Sequence, residues 1–409
     1  MPVGVERTMT NPNPDPGEEY AHVNTQLFGE VIPEANRYKP FDIPPYNLPK
    51  RKSYTNAPMN GFVTDYVNNF NAIRGRLPNH HEYQVIMNCR PEETVPVFSA
   101  LAKEYAVFDA WFSSAPTQTL PNRAFMHSAT SNGWVRNRSF YHWLLHPSPT
   151  IFDRIEAKGD PSVTWAVYYD KLDLISLTGL TNPSLWKDHR SNFKYMENFL
   201  EEARHNALPS YAFIEPRFFV DHNDQHPPVN PQILETSSVT AGEQLIADVY
   251  EAVRTSPKWH NTLLTVTYDE HGGCYDHVPP SDAVPPDPAK PPGEQDFRFD
   301  RLGVRVPTVM ISPYIKKGTV IYETHDHTSI LKLLSTRWGL KHLTERDKHA
   351  NDISKALNRK SPRVRCPRAM RRAKTGSSFQ RNAPARWISE SGSRERIRPS
   401  NIGLPPRRT

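Results

Sequence analysis

The stretch TVTYDEHGGCYDHVPP, Thr265 to Pro280, places two acidic residues at the end of an apolar, β-branched segment. Residues 263–266 predict a buried strand, and a Gly-Gly pair ends it shortly after Asp269 and Glu270. Open α/β sheets bind their ligands at the carboxyl ends of the strands, so we expect this acidic pair at such an edge. Two carboxylates with histidines nearby suit a divalent metal ion, although an ordinary pair of surface acids would give the same pattern.

Helical and strand-like patterns alternate along the rest of the chain. Apolar segments at 106–112, 163–169, 211–214, 262–268 and 304–311 stand next to helical patterns at 92–105, 151–157, 193–203, 241–254 and 328–338. This alternation predicts an α/β fold with a mainly parallel central sheet and helices on both faces. The many prolines, 40 in 409 residues, cluster in the connections between these segments and predict long loops over the scaffold.

The net charge of +6 is concentrated at the carboxyl end. Residues 359–409 hold 15 Lys or Arg against 2 acids, whereas the rest of the chain has 35 basic residues against 42 acidic ones. We therefore predict a folded domain over residues 1–366 and a disordered basic tail over 367–409. The tail is either a solvated extension or a segment that binds anionic lipid or nucleic acid.

Three widely spaced cysteines encode neither a disulfide framework nor a zinc ribbon. No apolar stretch approaches the roughly 20 residues of a membrane span, and Met1 to Arg7 lacks a secretory core. The cellular compartment and the oligomeric state stay open at this level.

The loop from Ser113 to Gly133 follows a predicted strand and opens a predicted helix. Thr119 is its best-placed hydroxyl, because the helix N-terminus stabilises an alkoxide or a bound phosphate there, although capping the helix would be an ordinary role for it. Asn122 and Arg123 are expected to donate hydrogen bonds to phosphate oxygens. The rival hydroxyls of the same loop are those of Ser113, Ser114 and Thr117.

Two further loops that follow strands are rich in histidine. Residues 214–228 include His226, and residues 324–330 include His327. An isolated histidine is usually structural, but His-rich loops after several strands of one doubly wound sheet would converge on the same edge.

These loops occur in the order found in a known family. The matching segments are AVFDAWFSSAPTQTLPNR (106–123), FIEPRF (213–218), NDQHPP (223–228), TYDEHGGCYDHVP (267–279), FDRLGVRVPTVMISPYIKKGTV (299–320) and HTSILK (327–332). Over residues 8–367 the chain resembles the phosphoesterase family that contains bacterial phospholipase C, related acid phosphatases and plant non-specific phospholipase C, within the alkaline phosphatase-like superfamily.

The resemblance implies a threonine nucleophile at Thr119, in contact with a divalent metal ion that Asp269 and Glu270 hold. It implies phospholipids or other phosphate esters as substrates, and relatives that are often secreted or periplasmic. The other site residues expected from the pattern and the resemblance are His226 and His327 as catalytic histidines and Asn122, Arg123 and His271 as substrate-binding residues.

The chain departs from the family in two places. Members begin their sheet with a strand ending in Glu-Asn, which completes the metal site, and we expect this first strand to be missing here. The similar-looking RNRSFYH (136–142) follows the nucleophile loop and has Arg where Glu is needed, so we interpret it as unrelated. Plant relatives carry His at the position of Glu18, for which Glu18 or His22 could substitute.

The leading hypothesis is therefore a metal-dependent hydrolase of phosphate esters, most simply one that cleaves phospholipids in the manner of phospholipase C. One alternative is an acid phosphatase that acts on phosphomonoesters. Another is a catalytically impaired, N-terminally truncated homologue whose basic tail binds anionic lipid or nucleic acid. A sulfatase or phosphomutase relative fits less well, because TLPNR lacks the Cys or Ser of a sulfatase motif.

Overall fold

Strands and helices alternate along most of the described chain in a computed structural model of the protein. The structure describes residues 4–5, 11–29, 57–219, 221–227 and 237–370. The chain divides into two units, Met1–Ala373 and Lys374–Thr409, and the second lies outside the described residues. The predicted basic tail also lies outside them beyond residue 370.

Three sheets are present in the described part of the chain. Their strands are β1 (Gly4–Val5), β2 (Asn88–Cys89), β3 (Ala106–Phe108), β4 (Trp165–Tyr169), β5 (Phe193–Tyr195), β6 (Tyr211–Ile214), β7 (Leu264–Thr267), β8 (Thr308–Ile311) and β9 (Thr319–Ile321). The order β5-β4-β6 forms a parallel sheet, β7-β8-β3-β9 forms a mixed sheet, and β1 pairs with β2 in parallel. In the mixed sheet β8 runs antiparallel to both β3 and β7, and β3 runs parallel to β9.

The α-helices cover these sheets and form a separate layer near the amino end. They are α1 (Tyr20–Phe28), α2 (Phe62–Arg74), α3 (His80–Gln84), α4 (Pro96–Glu104), α5 (Thr119–Ser128), α6 (Phe140–Leu145), α7 (Ile151–Lys158), α8 (Leu177–Thr181), α9 (Pro183–Asp188), α10 (Met196–Arg204), α11 (Thr240–Thr255), α12 (Thr328–Trp338) and α13 (Glu345–His349).

Strand β4 shows why the sequence produces a layered α/β fold. All five of its residues are buried, and successive side chains point to opposite faces. Trp165, Val167 and Tyr169 pack into one apolar cluster with α7 and α12. Ala166 and Tyr168 pack into another cluster with α10 and α11. The predicted α/β class with helices on both faces is therefore confirmed for this sheet.

Parallel pairing also predominates among the described residues, where four of the six strand pairings are parallel, although two of the three pairings in the four-stranded sheet are antiparallel. The strands do not, however, form one continuous sheet among the described residues. Strands β6 and β7 each end a sheet there, and both border the same cleft. Their half-buried side chains agree with this edge position.

Residues 193–195 were expected to begin a helix and instead form strand β5. Phe193 is buried beside Trp165 and Trp186, and the backbone of residues 193–195 pairs in parallel with residues 167–169 of β4. Tertiary pairing and aromatic packing here outweigh the local helical pattern, so the helix begins only at Met196.

Candidate functional site

A cleft of roughly 1420 Å³ opens between the sheet edges formed by β6 and β7. Loops that lie far apart in the sequence come together along its wall, as expected for loops that follow neighbouring strands. The expected site residues that line it are Thr119, Arg123, His226, Asp269, Glu270 and His271.

Thr119 is the first residue of α5 and is half-buried at the wall of the cleft. No hydrogen bond involves its hydroxyl within the described part of the chain. The next backbone N–H, that of Leu120, donates to Asn137 Oδ1 over 2.8 Å and fixes this end of the helix. The partial positive charge of the helix N-terminus would stabilise negative charge on the Thr119 oxygen.

The rival hydroxyls of the loop have structural surroundings. Ser113 and Ser114 are buried, and Ser113 donates to backbone carbonyls. Thr117 is also buried and donates to the carbonyl of Val135 over 2.5 Å. Among the described residues, Thr119 is thus the hydroxyl of this loop that faces the cleft.

Asn122, predicted to bind substrate, directs its amide into the loop instead. It is fully buried, and its Oδ1 accepts the N–H of Ala115 over 2.9 Å. Its Nδ2 donates to the carbonyls of Ala115, Thr117 and Gln118 at 3.2, 2.8 and 3.1 Å. Both amide protons and the amide oxygen of Asn122 are therefore hydrogen-bonded to the backbone. Asn122 holds the loop before Thr119 in its conformation.

Arg123 and Asp269 form an ion pair, with Arg123 Nε 3.0 Å from Asp269 Oδ2. The guanidinium carbon also lies 4.8 Å from the centre of the Phe218 ring. One guanidinium nitrogen, Nη1, is buried and has no hydrogen-bond partner among the described residues. A buried, unpartnered N–H of a cation is suited to an anionic ligand such as a phosphate oxygen.

Glu270 and His226 form an acid-base pair within the cleft. Glu270 Oε2 accepts the N–H of Gly272 over 2.6 Å, and its Oε1 lies 3.8 Å from His226 Nε2. Burial raises the pKa of Glu270 to about 8, although His226 opposes the shift. Burial disfavours charge on His226, but Asp15 and Glu270 outweigh it and raise its pKa to about 9. His226 is therefore protonated at neutral pH and can donate a proton.

His327 and His271 each donate a hydrogen bond to a protein acceptor. His327 is fully buried; its Nε2 donates to the carbonyl of Asp269 over 2.8 Å, and its Nδ1 accepts from Trp111 over 3.4 Å. His271 Nε2 donates to Gln26 Oε1 of α1 over 2.7 Å. Burial lowers the pKa of both histidines, that of His271 to about 4. His327 thus positions Asp269, and its predicted catalytic role remains a prediction.

The carboxylates of the predicted metal ligands Asp269 and Glu270 already have protein partners in this arrangement. Asp269 Oδ2 pairs with Arg123, and its Oδ1 accepts the N–H of Glu270 over 3.2 Å. Glu270 directs its carboxylate towards Gly272 and His226 instead. Protein donors thus bind three of the four carboxylate oxygens, and the predicted metal-binding role of this pair remains a prediction.

A different group could hold a metal ion in the described part of the chain. Ligand atoms of Asp15, Glu18 and His226 all lie within 4.8 Å of one another. No role was predicted for Asp15 from the sequence, and Glu18 was expected only as a substitute for a histidine. The sequence feature that could have indicated this group is the spacing of Asp15 and Glu18, D-x-x-E, just before α1. That spacing is too common in proteins to indicate a metal site by itself.

Other charged residues of the predicted loops have structural partners. Glu215 accepts the N–H groups of Leu177 and Thr178 at the start of α8. Two arginines of the RNRSFYH segment pair with Glu294, whereas its Asn137 accepts the N–H of Leu120 beside Thr119, so the segment supports the start of α5.

Comparison with known proteins identifies relatives over most of the chain. The model of the Phosphoesterase family matches residues 5–341. Non-specific phospholipase C3 of Arabidopsis thaliana is 38% identical over 380 residues, which cover 87% of this chain and 64% of that protein. Phospholipase C B of Mycobacterium tuberculosis strain H37Rv is 30% identical over 327 residues, which cover 72% and 59% of the two chains. The chain thus spans less than two thirds of the length of either relative.

Among solved structures, a protein of the alkaline phosphatase superfamily from Vibrio parahaemolyticus matches with a TM-score of 0.35 and 13% identity, over 63% of this chain and 64% of that one.

Within the described residues, no helix combines the length and apolar character that crossing a membrane requires.

Proposed function

The chain belongs to the phosphoesterase family, and on this premise we propose that it hydrolyses phosphate esters, with phospholipids as the favoured substrates. The observation that carries the proposal is the pairing of Thr119 with Arg123. They are four residues apart on α5, which places them on one face of the helix, and both line the cleft. The Thr119 hydroxyl and the unpartnered Nη1 of Arg123 would therefore contact the same ligand in the cleft.

Cleavage of phospholipase C type is supported by the names of the relatives and by the composition of the cleft wall. Apolar side chains border a large part of it, including Phe98, Phe199, Leu245 and Ile246. Such a wall suits the acyl chains of a lipid better than it suits a small, fully hydrophilic phosphomonoester.

In the proposed mechanism, Thr119 Oγ1 attacks phosphorus and loses its proton to water in the open cleft. The bond from phosphorus to the diacylglycerol oxygen breaks, and His226 protonates that oxygen as it leaves. Arg123 binds the non-bridging oxygens, on which negative charge develops. Water then hydrolyses the phosphothreonine and releases the phosphorylated head group. Metal dependence is part of the proposal, but no step is assigned to an ion at Asp269 and Glu270.

Substitution of Thr119 tests the proposal. Thr119→Ala should lower kcat on phosphatidylcholine vesicles by about a thousandfold or more, because no other nucleophile lines the cleft in the described loop. Thr119→Ser is the matched control, and it should keep a substantial part of the activity and still form a covalent phosphoenzyme. Unchanged turnover by Thr119→Ala would remove Thr119 from the mechanism.

The choice of substrate separates the alternatives. Faster turnover of p-nitrophenyl phosphate than of phosphatidylcholine would favour the acid phosphatase hypothesis. If the wild-type chain turned over neither substrate with Mg²⁺, Mn²⁺ or Zn²⁺ present, the catalytically impaired homologue would be the better description.

A further inference from the structure

The segment before α1 and the loop after β6 bring a second group of acids against His226. Asp15 and Glu18 come from the first of these segments, and their ligand atoms and that of His226 lie within 4.8 Å of one another. A metal ion about 2.0 to 2.2 Å from each ligand separates two ligand atoms by at most about 4.4 Å. Small side-chain rotations would therefore be enough to close the group around an ion.

The orientation of His226 is that of a metal ligand. Its Nδ1 lies 2.7 Å from the carbonyl oxygen of Pro227, and a carbonyl can only accept, so Nδ1 carries a proton. The other ring nitrogen, Nε2, lies towards the carboxylates, and its distance to Glu270 Oε1 is 3.8 Å. Metal-binding histidines are commonly fixed in this way by a backbone carbonyl on the other ring nitrogen.

Glu18 supplies an independent sign that a ligand is needed. Its residue is 7% exposed, and its Oε2 is buried without a hydrogen-bond partner in the described part of the chain. Burying a carboxylate oxygen without a donor is costly, so either a proton or a cation must compensate it.

The surrounding charges also favour a cation. Burial and the neighbouring Asp15, Glu19 and Glu270 raise the pKa of Glu18 well above its ordinary range. Burial raises the pKa of Asp15 as well, although His226 opposes the shift. Asp15, Glu18 and Glu270 thus surround the single imidazole of His226, and a divalent ion would favour their ionised forms over their protonated ones.

We propose that Asp15, Glu18 and His226 bind a divalent first-row transition-metal ion, at a site separate from Asp269. Two carboxylate oxygens and one imidazole nitrogen suit Mn²⁺, Fe²⁺ or Zn²⁺ better than Ca²⁺, which takes oxygen ligands throughout. The proposal concerns binding alone and holds whether or not Thr119 is the nucleophile; because an ion would occupy Nε2 of His226, proton donation by His226 belongs to the chain without an ion at this site.

The test uses the full chain, freed of metal, and Mn²⁺ as the probe. A titration in which the electron paramagnetic resonance signal of free Mn²⁺ is measured should reveal one bound ion per chain. In a separate thermal unfolding experiment, Mn²⁺ should raise the Tm of the chain. Glu18→Gln and Asp15→Asn should each weaken binding tenfold or more, since each removes one of three charged or nitrogen ligands.

Glu19→Gln is the matched control, since Glu19 is the adjacent acid but pairs at the surface with His22 at 3.6 Å. It should change Mn²⁺ affinity less than threefold. Glu18→Gln removes a buried charge, so its metal-free Tm should be equal to or above that of the wild type while the rise caused by Mn²⁺ disappears.

Three results would overturn the proposal. The first is the absence of Mn²⁺ binding by the wild-type chain, and the second is unchanged binding by both Glu18→Gln and Asp15→Asn. The third is loss of binding in Asp269→Asn with full binding in Glu18→Gln, which would place the ion at the acidic pair predicted from the sequence.

Discussion

Replacing Asn122 by alanine separates two roles for this residue. The sequence pattern predicts that Asn122 binds substrate, whereas the structure directs its whole amide at the backbone of the loop before Thr119. If the structure describes the role correctly, the substitution should destabilise the fold and lower kcat, because the loop would no longer hold Thr119 in position.

The expected loss of stability follows from the bonds. Asn122 Nδ2 has two protons, which three carbonyls share, and Oδ1 accepts one N–H, so about three full hydrogen bonds disappear. At about 0.5 to 1.5 kcal/mol each, their loss costs about 2 to 4 kcal/mol. Asn122 is fully buried, so water cannot easily replace the lost hydrogen bonds. The substitution also leaves the N–H of Ala115 without its acceptor.

Urea unfolding measures the free energy of unfolding, and steady-state kinetics on phosphatidylcholine vesicles give kcat and KM. Asn137→Ala is the control, because Asn137 is exposed and its side chain accepts one hydrogen bond, from the N–H of Leu120, so the substitution should cost less than about 1 kcal/mol. The reasoning would be refuted if Asn122→Ala kept full stability and raised only KM, since that result describes a substrate-binding residue.

Two further predictions concern buried charges. Arg346→Met should lower the free energy of unfolding by about 3 to 5 kcal/mol in chemical denaturation, because Arg346 is buried and pairs with the buried Asp326 at 3.2 Å; a loss below about 1 kcal/mol would contradict this. His22 lies 2.8 Å from Asp65, and although burial opposes charge, Asp65 and Glu19 raise its pKa to about 9. Because the folded-state pKa lies above the unfolded value, this contribution to stability is complete below about pH 6.5 and is lost as the pH rises through about 9. Unfolding free energies measured between pH 6 and pH 10 should fall accordingly in the wild type and fall less in His22→Gln, and equal slopes would contradict the assignment.

Local patterns predicted several elements well. Helix α12 and strand β6 have the bounds that were expected, because apolar periodicity and flanking breakers agree at both. Helix α5 begins three residues before the expected Asn122, since the sequence TLP allows a helical first turn with Pro inside it. Helix α2 was not predicted, although Phe62, Tyr66 and Phe70 recur at helical spacing and are buried in one cluster with residues of α1.

The candidate site was predictable where residue type and strand position were sufficient. Thr119, Arg123, His226 and the acidic pair were expected at one edge, and they line one cleft. Their individual partners could not be predicted, because a hydrogen bond depends on angles and distances of a few tenths of an ångström. Asn122 illustrates the difference, since its type suits a phosphate and a backbone loop equally well.

The sequence by itself determined the α/β class, the family and the set of polar residues that follow the strands. These depend on periodicity and on short motifs, which are local properties of the chain. Only the tertiary structure decided that Asp269 pairs with Arg123 and that His226 faces Asp15 and Glu18. Asp15 and His226 are far apart in the chain, and only packing of α1 beside the loop after β6 brings their charges into contact. The pKa of a carboxylate depends on burial and on neighbouring charges, and both exist only in the folded chain.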